Sequence, residues 1–170
     1  SRRAARDALD WVDSWRRPRA DDTDVRSAPS PVTPGARAEP RLTMPLDGRR
    51  VLIVDDERGF AEFVRDLLGL NGCEADVELD SERALTAIAA APSRYDAVIM
   101  DFAMPGRSGV QVAEALQCIR PDLPIVLCTG LLERIDPVDT ERIGIRAVLR
   151  KPVSPAALVS HMQRCFDPVD

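Results

Sequence analysis

The segment RRVLIVDD, residues 49–56, sets the interpretation of the whole chain. Four apolar residues follow one another in it without interruption, and the run then stops at Asp55 and Asp56. A short apolar run with no alternation is typical of a strand that is buried on both faces of a parallel sheet. The segment therefore predicts a central strand whose carboxyl end carries two acids.

Helical and strand patterns alternate from this segment to the end of the chain. Further strands are predicted over residues 73–79, 95–101, 123–130 and 145–151, and helices over residues 61–72, 81–91, 108–120, 136–144 and 154–166. Ser81 and Ser154 are expected to cap two of these helices, and Asn71-Gly72 to end the first. Five strands alternating with five helices predict an α/β fold, a doubly wound five-stranded parallel sheet in the flavodoxin-like order 2-1-3-4-5.

The N-terminal part of the chain has a different composition. Residues 1–17 are predicted to form an amphipathic helix, and its apolar stripe contains Trp11 and Trp15, the two tryptophans of the chain. Residues 18–47 form a Pro-rich linker, which leaves residues 48–170 as the folded domain. The partner of the stripe is left open between this domain, a second copy in a homodimer and a neighbouring domain, with a frayed end as the alternative.

The composition argues against several functions. The 170 residues carry a formal net charge of −5, which does not indicate a nucleic-acid surface. No apolar run approaches the about 18 residues of a membrane span. The N-terminal SRRAARDALD lacks the apolar core of a secretion signal, so a cytoplasmic location is expected. The four cysteines are scattered and are expected to be reduced, mostly buried thiols.

Polar side chains stand where the predicted strands end. Asp55 and Asp56 end the first strand, Asp101 the third, Thr129 the fourth and Lys151 the fifth. The carboxyl ends of parallel strands meet at one edge of the sheet, so we expect the three aspartates to converge there. Two such charges at about 4 Å repel by on the order of 4 kcal/mol, and Mg²⁺ would neutralise them. The alternative is that the first two acids only cap the helix that follows.

Lys151 stands out because 22 of the 23 basic residues are arginine and it is the single lysine. Chance is one explanation. The other is that an anion bound beside the cation requires a compact point charge on a flexible stem, which arginine does not supply. Thr129 adds a hydroxyl from the neighbouring strand. The arrangement predicts that Asp101 attacks a phosphoryl group and forms an acyl phosphate.

Four segments carry a resemblance to a known family. They are VLIVDDE (51–57), VIMDFAMPGRSG (98–109), LCTG (127–130) and LRKPVSP (149–155). In order and spacing they resemble the receiver domain of bacterial two-component response regulators, over residues 48–167. The stretch from LCTG to KPV is also similar to the C-terminal receivers of hybrid sensor histidine kinases.

The resemblance implies a role for each residue at the strand ends. Asp101 would be the phosphoacceptor; Asp55, Asp56, Asp101 and the carbonyl of Ala103 would bind Mg²⁺; Thr129 and Lys151 would contact the phosphoryl oxygens. A cis peptide bond is implied before Pro152. The phosphoryl group would come from a sensor histidine kinase or a histidine phosphotransfer protein. The phosphorylated domain would then control a protein partner, within a hybrid kinase or as a single-domain regulator.

The sequence departs from the family pattern at two positions. Val148 lies three residues before the lysine, where receivers commonly carry the aromatic residue that moves on phosphorylation. Gly130 follows the threonine and is expected to leave the mouth of the pocket open. Two further positions, Ala103 and Leu131, cannot hydrogen-bond a water molecule, which favours a long-lived phosphorylated state.

Other functions fit the sequence less well. A phosphatase of the aspartyl-phosphate class expects a second aspartate at Ala103, and a flavodoxin would not place Asp-Asp-Glu against a phosphate. A receiver fold used only for docking or dimerisation should have lost a pocket residue. His161, the single histidine, is expected to be a partly exposed helix residue, so the chain carries no kinase core. Its status as an enzyme is left open, since a receiver catalyses only its own phosphotransfer.

Overall fold

The computed structural model describes residues 44–167. The helix predicted over residues 1–17, with Trp11 and Trp15, lies outside the described residues, as does most of the linker predicted over 18–47. Among the described helices, none has the length and apolar content that crossing a bilayer requires.

Five strands and five helices alternate along the described part of the chain. The strands are β1 (Arg50–Val54), β2 (Glu74–Glu78), β3 (Ala97–Asp101), β4 (Ile125–Thr129) and β5 (Ile145–Arg150). The helices are α1 (Arg58–Leu70), α2 (Ser81–Ala90), α3 (Gly109–Ile119), α4 (Pro137–Ile143) and α5 (Pro155–Phe166), with a short 3₁₀ turn at Leu132–Arg134.

All neighbouring strands run parallel, in the order β2-β1-β3-β4-β5. Val54 pairs with Met100, and Asp101 pairs with Cys128, so the ends of β1, β3 and β4 are level. This is the predicted flavodoxin-like doubly wound fold, which is confirmed. The chain reverses its direction of winding between β1 and β3, and the crevice at such a point is where open α/β sheets bind ligands.

The sheet separates two apolar clusters because successive side chains of a strand point to opposite faces. The first cluster contains Leu52, Val54, Val98 and Met100 and is covered by α2 and α3. The second contains Val51, Ile53, Ala97 and Ile99 and is covered by α1 and α5. The uninterrupted apolar runs of β1 and β3 therefore reflect burial on both faces, as the sequence predicts.

The helix ends agree with the sequence in part. The side chain of Ser154 accepts from the backbone N–H of Ala157, so the predicted cap of α5 is confirmed. The predicted cap of α2 at Ser81 is wrong. Asp80 holds that position, where its carboxylate accepts from Arg83 N, and Ser81 is the buried first residue of the helix. Both residue types are good caps. Asp80 takes the role because its backbone is extended, as an N-cap requires, whereas Ser81 is already helical.

The domain begins earlier than the sequence indicates. Leu46, within the predicted linker, is buried in the second cluster, and its N–H donates to the carbonyl of Asn71 at 3.0 Å. Helix α1 begins at Arg58, three residues before the predicted start at Ala61. Cys118 is exposed, so the expectation of mostly buried thiols does not hold for it.

Candidate functional site

Three carboxylates converge where β1 and β3 end. Asp55 and Asp56 directly follow β1, and Asp101 is the last residue of β3. One carboxylate oxygen of each residue lies within 4.8 Å of those of the other two. Asp55 is only 1% exposed, whereas Asp56 is exposed to solvent. The strand pairing thus brings together the three acids that the sequence placed at the strand ends.

Lys151 reaches these acids from the end of β5. Its Nζ lies 2.7 Å from Asp55 Oδ2 and 3.7 Å from Asp101 Oδ1. The peptide bond between Lys151 and Pro152 is cis, as the family resemblance implied. The backbone N–H of the lysine donates to the carbonyl of Thr129 at 2.8 Å, which holds the strand ends together. The sole lysine is therefore part of the site.

The charge of Asp55 is costly in this position. Burial raises the pKa of Asp55 above its ordinary value of 3.8, and the nearby Asp101 acts in the same direction. The hydrogen bond from Lys151 and the N–H of Glu57 oppose the shift in pKa without cancelling it. Desolvation disfavours the ionised form of a carboxyl group, so a further cation at this site would be bound favourably.

Thr129 ends β4 beside this group and is fully buried. Its Oγ1 accepts from the backbone N–H of Leu131 at 2.9 Å, and the hydroxyl hydrogen can still be donated to an anion. Gly130 is exposed, and a side chain there would meet no atom within 4 Å. The mouth of the pocket next to Thr129 is open, as the sequence predicts.

The loop after Asp101 is held from both of its ends. Ser108 and Gln111 form a capping box at the start of α3. The N–H of Gly109 donates to the carbonyl of Phe102 at 2.9 Å. Ala103 lies exposed in this loop, two residues after Asp101.

Two apolar residues lie close in sequence to the acids and the lysine, and their surroundings differ. Val148 is half-buried and packs against the first apolar cluster. Phe60, in the first turn of α1, carries its ring beneath Lys151, with Nζ 4.2 Å from the ring centroid. Sequence analysis missed Phe60 because an apolar residue at a helix start indicates packing and not a contact with a charge.

The donor set fits Mg²⁺. Mg²⁺ prefers oxygen ligands and is usually held by few protein carboxylates, its other positions being left for water or substrate. The three clustered carboxylates supply such oxygens. Burial raises the pKa of Asp55, and a further cation beside it would offset the cost of its charge. Asp55, Asp56 and Asp101 are the residues that would hold the ion.

A doubly wound parallel sheet with three clustered carboxylates and a lysine at its switch point defines an α/β domain of the flavodoxin-like class with a candidate cation site. Comparison with protein families specifies it further. Residues 51–163 match the response regulator receiver domain, and the chain belongs to this family. Receiver domains of response regulators act in two-component signalling.

Curated relatives support the assignment. Response regulator MprA of Mycolicibacterium vanbaalenii is 34% identical over 117 residues, which cover 67% of this chain and 48% of the relative. MprA of Mycobacterium avium is 33% identical over the same length. The chain therefore spans about half the length of the curated relatives it matches.

Solved structures give the same result. A receiver domain protein from Clostridium thermocellum has a TM-score of 0.64 and 25% identity, and the match covers 69% of this chain and 94% of that one. Response regulator TrrA of Thermotoga maritima, solved in complex with Mg²⁺ and BeF, has a TM-score of 0.63 and 27% identity over 69% of this chain and 99% of that one.

Proposed function

We propose that this domain is a phosphorylation switch in which Asp101 accepts a phosphoryl group from a phosphohistidine. The observation that carries the proposal is the convergence of three carboxylates with the single lysine at the ends of β1, β3 and β5. A surface that served only for docking would not require a buried carboxyl group such as Asp55, whose ionised form burial disfavours.

In the reaction, an oxygen of the Asp101 carboxylate forms a bond to phosphorus as the P–N bond to the donor histidine breaks. The imidazole leaves with the electron pair and takes a proton from solvent, and the aspartate becomes an acyl phosphate. Lys151 would contact the phosphoryl oxygens as a point charge, and the Thr129 hydroxyl would donate to them. Positioning and charge neutralisation account for most of phosphoryl-transfer catalysis.

Asp55, Asp56, Asp101 and the carbonyl of Ala103 would hold Mg²⁺. The bound ion would neutralise the negative charge of the acids and of the incoming phosphoryl group. Removal of Mg²⁺ with a chelator is therefore expected to prevent phosphorylation while leaving the fold intact.

The donor would be a sensor histidine kinase or a histidine phosphotransfer protein, and the domain would act in the cytoplasm. A position within a hybrid kinase fits the likeness of residues 127–153 to such receivers. The alternative function, a docking or dimerisation module independent of phosphorylation, would leave a partner's affinity unchanged by phosphorylation.

Intact-mass measurement after incubation with acetyl phosphate and Mg²⁺ tests the proposal. The wild type should gain one phosphoryl group, which hydroxylamine should remove because acyl phosphates react with it. Asp101→Asn should gain none. Asp66→Asn is the matched control, since Asp66 is an exposed acid on α1 that pairs with Arg65. Equal uptake by Asp101→Asn and wild type would overturn the assignment.

A further inference from the structure

The ammonium group of Lys151 has three neighbours in the pocket. Two are the carboxylates of Asp55 and Asp101, and the third is the ring of Phe60, with Nζ 4.2 Å from its centroid. The lysine side chain is only 17% exposed. A cation over an aromatic face is attracted by the ring quadrupole, and the attraction is larger where the cation is shielded from water.

The ring differs from the two carboxylates in what it can bind. Carboxylate oxygens are drawn to a divalent cation, and each one that becomes a metal ligand is less available to the lysine. The aromatic face neither ligates Mg²⁺ nor repels a phosphoryl oxygen that hydrogen-bonds to Nζ. Its contact with the ammonium group can persist while the lysine exchanges carboxylate partners for phosphoryl oxygens.

The position of the ring is fixed by its surroundings. Phe60 lies in the first turn of α1, four residues after Asp56, so one strand-to-helix connection carries both the acids and the ring. Its ring centroid is 6.3 Å from that of Phe63 in a tilted arrangement, and both rings pack on the second apolar cluster. The ring is therefore an ordered platform beneath a side chain with four rotatable bonds.

We propose that Phe60 is a positioning residue for Lys151, which holds the ammonium group in place for the phosphoryl oxygens by a cation–π contact. The role deepens the proposed function and rests on it. An apolar residue of α1 would thus help to orient the charged group that contacts the phosphoryl oxygens.

The single lysine permits a direct test of this contact. With ¹³C,¹⁵N-lysine incorporated, the only lysine side-chain signals are those of Lys151, because the chain has no other lysine. In the wild type the Hε resonances should lie upfield, as a result of the ring current of Phe60. Phe60→Leu should move them downfield, to the position of a lysine with no aromatic ring beside it, and Phe60→Tyr should keep them upfield.

Binding of BeF₃⁻ in the presence of Mg²⁺ measures the effect on the site. BeF₃⁻ is a suitable probe because the related TrrA structure contains Mg²⁺ with BeF. Loss of the ring should weaken its affinity about three- to tenfold in Phe60→Leu, and Phe60→Tyr should stay within about twofold of wild type. The matched control is Phe166→Leu, which removes a ring from the same cluster. The Phe166 ring centroid lies 4.7 Å from Cζ of Arg49, which precedes β1, whereas the acids follow the opposite end of that strand.

The outcomes separate the two proposals. Failure of the wild type to bind BeF₃⁻ would overturn the proposed function and the role of Phe60 with it. Normal affinity in Phe60→Leu, an equal loss in Phe166→Leu, or Hε shifts that do not change in Phe60→Leu would overturn the role of Phe60 alone. A loss in Phe60→Leu that Phe60→Tyr restores, with the shift change, would support it.

Discussion

The carboxyl group of Asp55 illustrates the uncompensated negative charge of the pocket. It is almost completely buried, and its strongest partner is an ammonium group at 2.7 Å that it shares with Asp101. One cation among three acids leaves net negative charge in the pocket. The protein thus holds its acids in an unfavourable arrangement, which binding of a metal ion would relieve.

Asp101→Asn should raise the free energy of unfolding by about 1 kcal/mol at neutral pH without Mg²⁺, because it removes repulsion between carboxylates. Since the pKa of Asp55 is raised above 3.8, its contribution to stability is complete below that pH and is lost as the pH rises through the raised value. The substitution removes one cause of the shift, so its benefit should disappear in acid.

Urea unfolding at several pH values measures this difference. Mg²⁺ should reduce or reverse it, since an ion bound to the folded wild type stabilises that form. A variant less stable than wild type at neutral pH without Mg²⁺ would contradict this account of the pocket.

If Asp101 forms the proposed acyl phosphate, the side chains of Ala103 and Leu131 should affect its lifetime. Neither side chain can orient the water molecule that hydrolyses it, so the wild type should dephosphorylate slowly. The double variant Ala103→Asn, Leu131→Glu should shorten the lifetime by about tenfold, the low end of what a positioned acid–base group contributes. Loss of phosphate is followed by intact mass. Val138→Glu adds a carboxylate at a residue that is 69% exposed, and it serves as control. An equal or longer lifetime in the double variant would show that water positioning does not limit hydrolysis.

Among the elements, the turn from β3 to α3 is the most tightly constrained at the site. A Cβ atom on Gly109 would lie 2.6 Å from Cα of Phe102 and 3.0 Å from the carbonyl oxygen of Asp101. Both neighbours are backbone atoms and cannot turn aside as a flexible side chain can. Any larger residue must displace the segment that carries Asp101.

Gly109→Ala should therefore destabilise the domain by about 1–3 kcal/mol, the cost of overpacking, and should slow phosphorylation of Asp101. Gly69→Ala is the matched control because a Cβ there meets nothing within 4 Å. It lies in α1, where alanine should stabilise by about 0.5–1 kcal/mol. Thermal or urea unfolding compares the two variants, and equal stabilities would contradict the close contact.

The secondary-structure elements show which features of the fold can be predicted from the sequence and which cannot. The uninterrupted apolar runs of β1, β3 and β4 identify these strands and the polar residues at their ends. The strand order was predicted from the alternation of strands and helices and the flavodoxin-like fold class that it indicates. The cap of α2 could not be chosen from sequence, because Asp80 and Ser81 are adjacent and both are good cap residues. The contact of Phe60 with Lys151 joins residues far apart in the chain, and no local pattern encodes it.

At the scale of the whole domain, the N-terminal boundary depends on a single apolar side chain. Leu46 is 1% exposed, although it lies between Pro45 and Asp47 at the end of a Pro-rich stretch. The apolar residues of RLTMPLDG, residues 41–48, are too few to show a helix or strand period, so the sequence placed the boundary at residue 48. The division of residues 1–47 into helix and linker stays a prediction.

A chain that starts at Met44 keeps Leu46 and its contacts with the core. One that starts at Gly48 should lose about 2–3 kcal/mol, from the burial of Leu46 and its hydrogen bond to Asn71. Urea unfolding of the two truncated chains measures the difference. Equal stability would mean that the contact of Leu46 with the core contributes little.

The two outer strands of the sheet carry side chains of opposite charge, acidic on β2 and basic on β5. On β2 the acids Glu74, Asp76 and Glu78 each pair with an arginine, and β5 carries the exposed Arg146 and Arg150. An outer strand presents unpaired backbone N–H and C=O groups with which a strand of another molecule can form hydrogen bonds. Such pairing would remove water from the charged side chains of that strand. Adding a further strand at either edge would require the desolvation of charged side chains, which disfavours such pairing.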